Sequence, residues 1–95
     1  MVTLLAGLKA KRGKGKELVD LCLEMAGEVR EKEPGCLRYD PYVSPEDPDE
    51  VIFVEKYNSK DDLEEHRKTD HYQKIVKEKI GAILAEKPEI EVYET

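Results

Sequence analysis

The chain lacks tryptophan altogether and has one phenylalanine and two histidines among its 95 residues. Imidazole chemistry therefore falls on His66 or His71, and the side chains that stack on nucleobases are scarce. The two cysteines, Cys22 and Cys36, have neither metal-ligand spacing nor a partner motif, so no metal site and no disulfide framework is expected. Cys22 falls on the apolar stripe of a helix and Cys36 opens a strand; neither is given a catalytic role. Asn58 and Gln73 are the only side-chain amides, and with 40% charged residues this is the bias associated with thermophiles. No glycine fingerprint for a nucleotide or flavin occurs, and no cofactor is expected. No apolar run is long enough to cross a bilayer and no signal peptide is visible. A soluble, cytoplasmic protein with no membrane partner is the expectation.

Acidic side chains exceed basic ones, 22 against 16, for a formal net charge of −6. Such a surface repels phosphate backbones, so no nucleic-acid partner is expected. The one basic cluster, Lys9, Lys11, Arg12, Lys14 and Lys16, contains Gly13 and Gly15 where a strand should turn into a helix. Backbone amides there could hold an anion at the helix N-terminus. A solvated turn is the simpler reading, because a loose Gly-Lys run is not a phosphate-loop signature.

Hydrophobic residues make up 39% of the chain, and 95 residues suit a single domain, 1–95, with one sheet and two helices. Residues 2–11 alternate, with Val2, Leu4, Ala6, Leu8 and Ala10 on one face, which predicts a strand. Leu18, Leu21, Cys22, Met25 and Val29 recur at helical spacing, predicting an amphipathic helix over about 16–32 that Pro34-Gly35 ends. Residues 36–44 and 51–58 read as two strands joined by the turn Pro45-Glu46-Asp47-Pro48-Asp49. Pro41 removes a ladder donor, marking the first of these as an edge or bulged strand. Ser59-Lys60-Asp61-Asp62 is a capping signature, opening a helix on which Leu63, His66 and Arg67 share a face. Thr69-Asp70 interrupts it. A second stripe, Tyr72, Ile75, Val76, Lys79, Ile80, Ile83 and Leu84, runs to Pro88, and Ile90 and Val92 alternate with glutamates in a last strand. The order β-α-β-β-α-β predicts a ferredoxin-like α+β fold, a four-stranded antiparallel sheet with helices on one face. The other face keeps apolar groups, so a homodimer through the sheet faces is expected.

Three stretches carry a family likeness: Pro34-Gly35-Cys36 with Tyr39, the strand ending Val54-Glu55-Lys56-Tyr57, and the helix running from Leu63 through His66 to His71-Tyr72. Together they resemble the antibiotic biosynthesis monooxygenase domain of the dimeric α/β-barrel superfamily. The resemblance implies a protomer whose sheet pairs with a second copy, with a ligand pocket between sheet and helices. Members include cofactor-free oxygenases of quinols and aromatic polyketides, an isomerase of a small signal-molecule phosphate, and haem-degrading enzymes. The haem-degrading motif needs a first-strand asparagine, a tryptophan and a late histidine; this chain has no asparagine in 2–11, no tryptophan and no histidine after His71.

Cofactor-free oxygenation requires a base to take a proton from an electron-rich phenol or quinol, donors to hold the anion, and a dry pocket. His66 aligns with the family histidine and shares a face with Leu63, so it is either that base or a packed histidine satisfied by a carboxylate such as Glu55. His71 and Tyr72 complete the catalytic candidates, and Tyr57, Tyr39 and Arg38 are candidates for binding the substrate. Arg38 either holds an anionic oxygen or pairs with Asp40 or Glu55. The expected function is a cofactor-independent monooxygenase of a quinol-like or polycyclic phenolic small aromatic molecule. The alternatives are a dimeric small-molecule-binding protein without catalysis and a non-oxidative isomerase using the same pocket.

Overall fold

A computed structural model describes residues 1–95. Strands β1 (Val2–Lys9), β2 (Cys36–Val43), β3 (Glu50–Tyr57) and β4 (Glu89–Glu94) form one antiparallel sheet in the order β2-β3-β1-β4. Helices α1 (Gly15–Lys32) and α2 (Lys60–Lys68) are joined by a π-helix (Tyr72–Ile80) that ends in a short α turn, α3 (Gly81–Ile83). This is the ferredoxin-like arrangement. No helix is long and apolar enough to cross a membrane.

The alternation in β1 sends Val2, Leu4, Ala6, Leu8 and Ala10 into the core, against Leu18, Cys22, Met25 and Val29 of α1. Each valine, leucine or methionine among them, once fully buried, stabilises the fold by about 1.5–3 kcal/mol. The strand stops at Lys9, two residues before the expected end, because its next amides turn to other partners. Ala10 N–H donates to Asp49 C=O, and Lys11 N–H to Ile83 C=O, both at 2.8 Å. β2 is an edge strand, with Pro41 opposite Phe53 and a register irregularity between Cys36 and Arg38.

Gly13 and Gly15 do meet an anion, and it belongs to the chain. Asp49, at the end of the β2–β3 turn, accepts from Gly15 N–H at 2.9 Å and from Gly13 N–H at 3.4 Å. Its charge at the start of α1 suits the positive end of the helix dipole. A Cβ on Gly15 would lie 2.1 Å from the Pro48 carbonyl oxygen, so the hairpin turn can approach only a glycine here.

The second helical stripe was expected to be α-wound, and Tyr72–Ile80 is instead a π-helix, with Gly81 N–H donating to Val76 C=O. Bonding five residues back puts more residues in each turn. Positions four apart, Tyr72, Val76 and Ile80, therefore fall nearly into line. The helices leave one sheet face bare, and strand register places Leu5, Val54, Ile52, Tyr42 and Tyr93 on it among Arg38, Asp40, Lys56 and Glu91. They also stop short of β4. Ile90 and Val92 sit opposite Ala6 and Leu4 on the helix side of the sheet, yet remain 50% and 48% exposed.

The glycine contacts separate two substitutions of the same kind. Gly15→Ala should lower the free energy of unfolding by about 1–3 kcal/mol, as overpacking does. Gly27→Ala, exposed in mid-α1 with nothing near its Cβ position, should raise it by about 0.5–1 kcal/mol. Urea unfolding of both variants checks the pair.

Candidate active site

Ser59 caps α2, its Oγ accepting from Asp62 N–H at 3.3 Å, and this sets the helix phase that turns Leu63 and His66 toward the sheet. His66 is 2% exposed. Three phenol rings surround its imidazole, with centroids at 5.2 Å for Tyr39, 5.4 Å for Tyr57 and 5.1 Å for Tyr72. Thr69 then breaks the helix: its Oγ1 donates to His66 C=O at 2.8 Å and accepts from Tyr72 N–H at 3.2 Å. The break swings His71 round toward the end of α1.

Both histidines meet on one carboxylate that no local motif singles out. Glu33, the residue capping the C-terminus of α1, lies 2.8 Å through Oε1 and 3.1 Å through Oε2 from His66 Nδ1. The same Oε2 lies 2.5 Å from His71 Nε2. The expected packing partner of His66, Glu55, instead accepts from the Tyr57 hydroxyl at 2.6 Å. Thirty-three positions separate Glu33 from His66, so no local spacing could have disclosed the pair.

A cavity of about 60 Å³ lies between sheet and helices. Tyr39, Glu55, His66, Arg67 and Tyr72 supply its polar lining, and Leu4, Ala6, Phe53, Leu63, Val76 and Ile80 are among its apolar walls. Pro88 and Ile90 reach it from the β4 side. Of the residues chosen from sequence, His66, Tyr39 and Tyr72 line this space. Tyr57 stands behind it on Glu55, and His71 stands behind it on Glu33. Of the two readings of Arg38, pairing with Asp40 is the one observed, and a place in this cavity is corrected. The side chain lies on the bare face, with Nε 2.7 Å from Asp40 and Nη2 donating to the Tyr42 hydroxyl at 2.7 Å. Tyr39 faces the helices, and consecutive strand residues face opposite ways, so Arg38 cannot share its cavity. Arg67, half-buried at the cavity and paired with Glu64 at 3.1 Å, is the positive charge beside it.

Electrostatics differ sharply between the two carboxyls. Burial works against ionisation of Glu33, but the hydrogen bonds from His66 and His71 outweigh it and hold the group below the usual carboxylate range. For Glu55 burial dominates, opposed by the Tyr57 hydroxyl, and the carboxyl is pushed up. Burial also raises Tyr39, Tyr57 and Tyr72, so their hydroxyls stay protonated donors at neutral pH. The Cys22 and Cys36 thiols are pushed up to about 12 by burial and are poor nucleophiles. No three histidine, cysteine or carboxylate side chains adopt a metal-ligating arrangement.

The raised carboxyl has a consequence for stability. A folded-state value above the unfolded one means the native protein holds the proton more tightly, so stability falls as pH rises through that interval. Glu55→Gln keeps an acceptor for Tyr57 and removes the charge. Its melting temperature relative to wild type should therefore be higher at pH 8 than at pH 4, measured by calorimetry across that range.

The fold and site have clear relatives. Against the family model for antibiotic biosynthesis monooxygenase, residues 1–78 match. The structure of a putative antibiotic biosynthesis monooxygenase from Caulobacter crescentus is similar, 30% identical with a TM-score of 0.91, over 99% of this chain and 88% of that one. A conserved protein from Methanosarcina mazei is 27% identical with a TM-score of 0.89, over 98% and 90%. A third, described as an antibiotic biosynthesis monooxygenase, is 25% identical with a TM-score of 0.91, over 100% and 98%. No curated protein matches the chain. Sequence model and fold agree, and the chain belongs to the antibiotic biosynthesis monooxygenase family.

Proposed function

We propose that the protein is a cofactor-independent monooxygenase of a quinol-like or polycyclic phenolic small molecule, working in the cytoplasm as a homodimer built on one domain, 1–95. The observation that carries this reading is the state of the cavity's polar groups. His66 Nε2 and the hydroxyls of Tyr39 and Tyr72 make no hydrogen bond within the chain, although they belong to side chains lining an otherwise apolar space. A few convergent polar groups on apolar walls are what a small-molecule site needs.

The chemistry those groups support is proton removal followed by electron transfer to O2. His66 takes a proton from an acidic C–H or O–H of the substrate, and the phenols of Tyr39 and Tyr72 donate to the resulting oxyanion. The anion passes one electron to O2, and the two radicals join as a C–O bond to a peroxide. For a CH2 carbon between phenolic rings, O–O cleavage with loss of the second hydrogen leaves a carbonyl and releases the other oxygen as water. His66 returns its proton in that step. One O2 converts CH2 to C=O plus H2O, so the electrons balance with substrate as the only reductant.

A cavity of about 60 Å³ is smaller than the roughly 150 Å³ that holds a benzene ring. Substrate entry therefore requires the mouth to widen, and Pro88 and Ile90 on the uncovered margin of the sheet are the walls freest to move. The bare face, with Leu5, Ile52, Val54, Tyr42 and Tyr93 exposed or half-exposed, supports pairing of two sheets.

Oxygen-electrode measurements with menadiol or a dihydroxynaphthalene test the reaction. Wild-type protein should consume O2, and His66→Ala should lose about 10²–10⁴-fold in rate. No protein-dependent uptake would leave binding without turnover as the better account. For the assembly, sedimentation should give twice the 10.9 kDa chain mass, and Ile52→Glu on the bare face should return it to one.

A further inference from the structure

We infer that Glu33 is a positioning residue: it fixes neutral His66 as the Nδ1–H tautomer, so that the lone pair of Nε2 is presented to the cavity. This rests on the reading of His66 as the base. A carboxylate at the C-terminus of α1 faces the negative end of that helix dipole, an unfavourable place for it. It is retained there at 10% side-chain exposure, and what it gains is a ring nitrogen on each side.

An ionised carboxylate is acceptor only, so in both contacts the proton must sit on nitrogen. The low-lying ionisation of Glu33 agrees with that assignment. His66 then carries its proton on Nδ1, 2.8 Å from Oε1, and His71 carries its proton on Nε2 against Oε2. A free neutral histidine side chain in water favours the proton on Nε2, the opposite tautomer to the one His66 needs as a base at Nε2. The other polar groups facing the His66 ring are Tyr39 from β2, Glu55 and Tyr57 from β3, Arg67 from α2 and Tyr72 from the π-helix. None of them hydrogen-bonds Nδ1. His71 acts one step further out, holding the second oxygen so that the carboxylate does not rotate toward solvent.

Charge accounting explains the benefit. Before transfer the cluster of Glu33 and two neutral imidazoles carries −1 and the substrate is neutral. After transfer His66 is an imidazolium beside Glu33, the cluster is neutral, and the substrate carries the −1. The buried charge is moved and not created, which lowers the desolvation cost of making a phenolate or carbanion in an apolar cavity.

Long-range 1H–15N spectra of histidine-labelled protein at pH 8 read the tautomers without reference to activity. The expected spectrum shows His66 Nδ1 protonated and Nε2 pyridine-like, and His71 the reverse. In Glu33→Gln one carboxylate oxygen becomes an NH2 donor and the charge is lost, so Nδ1–H loses its ionic acceptor and the His66 Nδ1–H population should fall. The same variant should lose about 10–100-fold in kcat with KM within about threefold. Glu33→Asp, which keeps the charge, should recover part of the rate. An Nε2–H tautomer at His66 in wild type overturns the inference, as does an unchanged His66 tautomer in Glu33→Gln. Absence of turnover in wild type would fail the oxygenase reading alone, since the spectra still decide the tautomer.

Discussion

Three separate segments of the chain converge on one carboxylate. Glu33 closes α1, His66 comes from α2, and His71 comes from the start of the π-helix; their contacts tie the two helical units together above the sheet. Charge-assisted hydrogen bonds of this kind contribute about 1.5–3 kcal/mol each. Their placement matters more than their strength. With the His66 ring held from its Nδ1 side, its other edge is left toward Tyr39, Tyr72 and the apolar walls.

The rest of the architecture follows from too few helices for the available sheet. One layer of helices buries the inner faces of β1 and β3 completely, with Val51, Phe53 and Tyr57 among the least exposed residues. It cannot also cover β4, and it leaves the reverse face bare. The cavity forms at the margin where cover gives out, roofed by Tyr72, Val76 and Ile80 and reached by Pro88 and Ile90. Site and exposed edge thus have one cause.

Opposed environments keep the polar groups of this site in distinct roles. Glu33 is paired twice and ionises readily, whereas Glu55 is buried with a phenol for a partner and resists ionisation. Tyr39 and Tyr72, pushed up by burial, keep their hydroxyl protons at neutral pH. An arginine at the cavity and a carboxylate behind the imidazole bracket the place where negative charge would develop. Within a 95-residue protein this is a dense set of functions, and it explains why the apolar core is shared between packing and lining.

Much of this was legible from local chemistry. Alternation in β1, the Pro34-Gly35 stop, the Ser59 cap and the inward phase of His66 are short-range properties, decided by residues within a turn or two of one another. They suffice for element order, and element order suffices for the sheet. Three things required the folded chain. The partner of His66 depends on where the end of α1 arrives relative to α2, a distance no spacing encodes. The π winding of Tyr72–Ile80 answers to packing against the sheet, since the same apolar stripe satisfies an α-helical period. The anion at Gly13 and Gly15 proved to be Asp49, brought by hairpin closure. For Arg38 the local reading held in part: the pair with Asp40, two residues along the strand, formed, and the same alternation keeps both from the face of Tyr39. Sequence alone determined which surfaces want to be dry; tertiary structure decided which charges meet, because a hydrogen bond needs its partners within about 3 Å and only the packed chain sets that distance.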